Sequence, residues 1–73
     1  MTRPPSESAA IHRAWITIVQ ISAGMMMRDH GDDAYGQAKK LAQQAQLERN
    51  DLAVRLWKAV ADEIAKRESL QLH

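Results

Sequence analysis

"AWITIVQISAGMMMRDHGDDAYG", residues 14–36, decides how this chain folds. Its first half is an apolar run without a charge; its second packs a histidine and three aspartates around two glycines. When successive residues are set about 100° apart around a helix axis, Arg13, Thr17, Gln20, Gly24 and Arg28 gather into one narrow polar stripe. Nearly everything else is apolar: Ile11, Ala14, Trp15, Ile16, Ile18, Val19, Ile21, Ala23 and Met25 to Met27. The apolar arc covers roughly two-thirds of the circumference, whereas a surface helix needs a stripe only about 100° wide. This helix is therefore central to its domain or shared with a second chain.

The second half of the stretch reads as a corner. Gly31 can adopt the left-handed backbone that closes a helix, and Asp32 or Asp33 can cap the next one. Working outward, residues 1–7 hold both prolines and no periodic pattern, and are expected to form a flexible arm. Ser6 or Ser8 offers a cap for the first helix, expected over residues 8–29. A second helix is expected over 33–48, with Ala34, Ala38, Leu41, Ala42 and Ala45 inward and Lys39, Lys40, Gln43, Gln44 and Gln46 in water. Asn50 or Asp51 caps a third helix over 51–69, where Ala53, Leu56, Trp57, Val60, Ala61 and Ile64 recur at i, i+3, i+4, i+7. Asp62–Lys66 and Glu63–Arg67 stand at i, i+4 with the acid first, the favourable order. Phenylalanine is absent and tyrosine appears once, so a β-rich core lacks its usual material. The expected fold is all-α: a three-helix bundle, one helical domain over residues 8–73, oligomeric through helix 1.

Composition narrows the function classes. At 73 residues the chain lies where a single core is marginal. It has no cysteine, so neither disulfides nor thiolate–metal sites can reinforce it. Tight helix packing or association remains. A cysteine-free chain fits a reducing cytoplasm, the expected location. Ten basic and nine acidic residues leave a formal charge of +1, which disfavours nucleic-acid binding dominated by phosphate neutralisation. The longest uncharged run, residues 14–27, is shorter than the ~20 apolar residues of a membrane span.

Candidate chemistry is sparse. Asp29, His30, Asp32 and Asp33 offer oxygen and imidazole ligands, but the helix stop expected at Gly31 falls between them, so no single helix face aligns the set. Counting from Asp29 or Asp32 does not give a calcium-loop pattern either. Consecutive acids at a helix start are explained by capping and by the helix dipole. His12 and His73 are dispersed, and no serine stands in a nucleophile setting. The reading is a non-catalytic chain with no cofactor and no metal site.

The residues "HGDDA", Ala38, Ala42 and "NDLAVRLWKAV" together resemble a group of short alphaproteobacterial helical proteins of no established activity. The resemblance spans about residues 31–64, with Gly31, Asp33, Ala34, Ala38, Ala42, Trp57 and Lys58 on pattern positions. Arg49 stands where that pattern prefers glycine and Asn50 where it prefers aspartate. Gln20 takes the place of a tryptophan, Trp15 being offset. The resemblance implies helical corners and no substrate.

The expected function is a small protein–protein interaction module: a regulator, adaptor, inhibitor or accessory subunit. It would assemble through helix 1 as a homo-oligomer (most simply a dimer) or with another protein. The expected interface comprises Ile11, Trp15, Ile16, Ile18, Val19, Met26 and Met27. The alternative is a small nucleic-acid-binding helical protein using Lys39, Lys40 and Arg55.

Overall fold

The computed structural model describes residues 5–71, and their side chains from Ala9 to Leu70. The described residues are helical apart from one turn, with no strand among them. Helix α1 spans Pro5–His30, passes through a single 3₁₀ turn at Gly31–Asp33, and continues directly as α2, Ala34–Leu47. The helical path is thus continuous from Pro5 to Leu47 and bends at Gly31. After a turn at residues 48–50, α3 runs from Asp51 to Gln71.

The start of α1 differs from expectation. Pro5–Glu7, read as part of a flexible arm, form its first turn, and Ser6 and Ser8 lie inside the helix rather than before it. Proline suits that place because a first-turn N–H has no intrahelical acceptor to lose. The rest of the expected arm lies outside the described residues.

Both corners use a left-handed residue. Gly31 has φ +55, with nothing near enough to force or forbid it. Asp33 stands at the N-cap of α2 but makes no side-chain cap bond. Its backbone, φ −91 and ψ 0, follows the helical path instead of the extended geometry that aims a capping carboxylate. The carboxylate instead accepts a hydrogen bond from Gln37 Nε2 at 3.0 Å.

The second corner is a closed C-cap. Asn50 N–H donates to the Ala45 carbonyl at 2.9 Å and Arg49 N–H to the Gln46 carbonyl at 3.1 Å. This is the Schellman pattern, and Arg49, at φ 58, fills the left-handed position where glycine is preferred. Asn50 then caps α3 as expected: its Oδ1 accepts from the Ala53 N–H at 3.1 Å.

The core is small in both count and side-chain size. Among the described residues, nine hydrophobic ones are buried: Val19, Ala23, Ala34, Ala38, Ala42, Ala45, Val60, Ala61 and Ile64. Six of these are alanines, which let backbones approach closely while burying little area. Among the described residues, only Ile64 and Val60 are large and fully enclosed. Trp15, Met26, Met27, Leu56, Trp57 and Ala59 pack around this nucleus while partly exposed. α2 and α3 are joined by a short turn and make the most extensive helix pair, whereas α1 leans chiefly on α3. Arg67 secures that contact: Nη2 donates to the Gln20 carbonyl at 3.2 Å, and Nε pairs with Glu63 Oε1 at 3.3 Å. The other pair expected on α3, Asp62–Lys66, is not formed; both side chains are exposed.

The chain is all-α as expected, but its helices do not close into a compact three-helix bundle. Three helices packed as a triangle, with axes about 8–10 Å apart, would measure roughly 15 Å across both short directions. The chain measures 48 × 34 × 17 Å. Its radius of gyration is 14.3 Å, against about 11 Å for a compact chain of this length. It exposes 5948 Å², against about 4,500 Å² for a compact monomer of its mass. The array is flattened and open on one side of α1.

Two substitutions test this account. Ile64→Ala should lower stability by about 2–5 kcal/mol, enough to abolish the cooperative thermal transition seen by circular dichroism. Arg49→Gly should relieve the left-handed arginine and stabilise by about 1 kcal/mol, raising Tm by roughly 4–8 °C. An unchanged or lower Tm would mean that the arginine conformation carries no strain.

Candidate interaction surface

α1 carries two apolar stripes, not one broad arc. The first is Trp15, Val19, Ala23, Met26 and Met27, turned toward α2 and α3 and belonging to the core cluster. The second is Ile11, Ala14, Ile18, Ile21 and Met25, all exposed. Its large members keep 65% (Ile11), 49% (Ile18), 57% (Ile21) and 56% (Met25) of their surface in solvent. From the positions on the helix, the stripes are centred about 120° apart. Ile16, at 40% exposure, stands on the opposite border of the inner stripe.

This divides the expected interface. Trp15, Val19, Met26 and Met27 are used inside the chain, because α3 and α2 cover the arc on which they lie. Ile11, Ile16 and Ile18 stay outward. Ile21 and Met25 belong to the exposed stripe and were not among the expected interface residues. Their signal was in the spacing: residues 11, 14, 18, 21 and 25 follow a 3-4-3-4 step, the period of a helix–helix seam. An apolar arc that wide masks such a step, because every register finds some apolar residue.

The corner at residues 29–33 has no comparable organisation. Asp29, His30, Asp32 and Asp33 are exposed, and Asp33 is engaged by Gln37. Among the described residues, no three histidine or acidic side chains converge as metal ligands would. A small cleft lined by Met27, Arg28, Gly31, Asp32 and Glu68 carries both charge signs.

The basic residues are exposed but scattered. Lys39 extends over the Tyr35 ring at 5.9 Å from its centroid. Arg55 and Lys58 line an open groove of about 540 Å³ between α3 and Trp15, together with Leu52, Ala59 and Asp62. The acid in that groove, and the position of Lys39 and Lys40 on α2, leave no continuous basic track. No described helix is long and apolar enough to cross a membrane.

No protein-family model, curated protein or solved structure matches this chain, so the exposed stripe of α1 is interpreted on its own geometry.

Proposed function

We propose that this chain is a small non-catalytic protein–protein interaction module, serving as a regulator, adaptor or accessory subunit. It assembles through the outer apolar stripe of α1, most simply as a two-fold dimer. The observation that carries this reading is the contiguous exposure of Ile11, Ile18, Ile21 and Met25 on one helix face. Full burial of such a side chain contributes about 1.5–3 kcal/mol, so covering the exposed half of four gives roughly 3–6 kcal/mol per chain. That is comparable with the whole stability of a small domain, about 5 kcal/mol at the low end. With an alanine-dominated core, a chain of this size needs such a contribution. A second helix laid on this stripe also closes the open side of the array, completing the helical bundle across two chains. The absence of cysteine suits a cytoplasmic setting for it.

Sedimentation velocity over the micromolar range should show the mass of an assembly, and Tm should rise with protein concentration. Ile18→Glu should shift the chain to a monomer and lower Tm, since it places a charge at the centre of the stripe. A wild-type chain that stays monomeric, with melting independent of concentration, would overturn the reading.

A further inference from the structure

The exposed stripe specifies more than association. Ile11, Ala14, Ile18, Ile21 and Met25 occupy alternating a and d positions of two heptads, and Arg28 takes the next d position. The row beside them opens with Ala10 and Thr17, small, uncharged and exposed, so a second backbone can come close there. α3 reaches the edge of this row only through Arg67, which binds the Gln20 carbonyl and lies beside Gly24.

Resting on the reading above, we infer that the occupant of this stripe is a second copy of the same α1, running antiparallel, with Ala14 facing Met25 and Ile18 facing Ile21 across a two-fold axis. Three observations point this way. The first is area: the chain exposes 5948 Å², exceeding the compact expectation of about 4,500 Å² by more than the ~800 Å² that a stable dimer buries per partner. The second is size matching. In the antiparallel register the smallest seam residue, Ala14, meets the long, adaptable Met25, and two isoleucines meet at the centre. A parallel pairing sets Ala14 against Ala14 and leaves a gap, then Met25 against Met25. The third is charge. Parallel helices would bring Arg28 against its own copy at the seam, whereas the antiparallel register places the two arginines about 25 Å apart, each opposite Ile11 at an end of the seam. Antiparallel helix dipoles favour the same arrangement.

The chain has no cysteine of its own, so introduced thiols report cleanly. Ala14→Cys and Met25→Cys variants, each checked for wild-type helicity by circular dichroism, are oxidised separately and as an equimolar mixture. Covalent dimers are followed by intact mass, with Ala65→Cys on the exposed face of α3 as the collision control. The antiparallel register predicts that the mixed dimer, joining the Ala14→Cys chain to the Met25→Cys chain, forms at least ten-fold faster than any homodimer. Rapid self-linking of the Ala14→Cys variant would show a parallel seam, overturning the orientation while leaving assembly through α1 intact. No linkage above the Ala65→Cys control, in a protein that sediments as a dimer, would show that another face is used. A wild-type monomer would overturn both the seam and the reading it rests on.

Discussion

An alanine side chain lets two helix backbones approach closely, but it removes little apolar surface from water. Most of what this chain buries is alanine: four of the buried core residues, Ala34, Ala38, Ala42 and Ala45, lie on α2 alone. The α2–α3 hairpin is therefore closely packed yet short of hydrophobic stabilisation. The larger apolar side chains lie mainly on α1 and α3. Because the hairpin spans only one side of α1, it covers one of the two stripes and leaves the other in solvent. The flattened shape, the exposed isoleucines and the proposed second copy all follow from that distribution of side-chain size.

The two corners determine where that distribution ends up in space. Gly31 bends the helical path so that Ala34 and Ala38 return to the neighbourhood of Val19 and Ala23. The Schellman corner then reverses the chain so that Val60, Ala61 and Ile64 come against both. The first corner uses a residue with no Cβ to strain, and the second holds an arginine in the same left-handed region. The arginine is tolerated because two cap hydrogen bonds and the Asn50 side chain fix the turn around it.

Much of this was legible in the residues. The 3.6-residue recurrence from Ala53 to Ile64, the glycine at 31 and the capping asparagine at 50 each name a local structure with one physical explanation, and each stands where expected. Asp33 was less readable: a capping carboxylate needs an extended backbone, and the 3₁₀ turn that precludes it depends on how α1 hands over to α2. The inner half of α1 was not readable at all from width alone. Met26 and Met27 face the core while Met25 faces water, although the three are adjacent and chemically identical. That choice is made by where the hairpin docks, a tertiary fact. Likewise, i, i+4 spacing permits both the Asp62–Lys66 and Glu63–Arg67 pairs. Only Glu63–Arg67 forms, and its Arg67 also binds the Gln20 carbonyl of α1.

α1 is 26 residues long, whereas α2 has 14, so α1 overhangs the hairpin at its N-terminal end. The described side chains before Trp15, Ala9 to Ala14, are all exposed, so those turns bury little against the rest of the chain. Helices shorter than about 12–15 residues rarely hold in water unaided. In a separated chain those turns rest on local propensity and on continuity with the packed part of α1. In the proposed antiparallel seam, Ile11 would gain the aliphatic stem of the partner's Arg28 to press against. Under that proposal, helix formation over these turns and the meeting of two chains would be a single equilibrium, governed by the concentration of the protein.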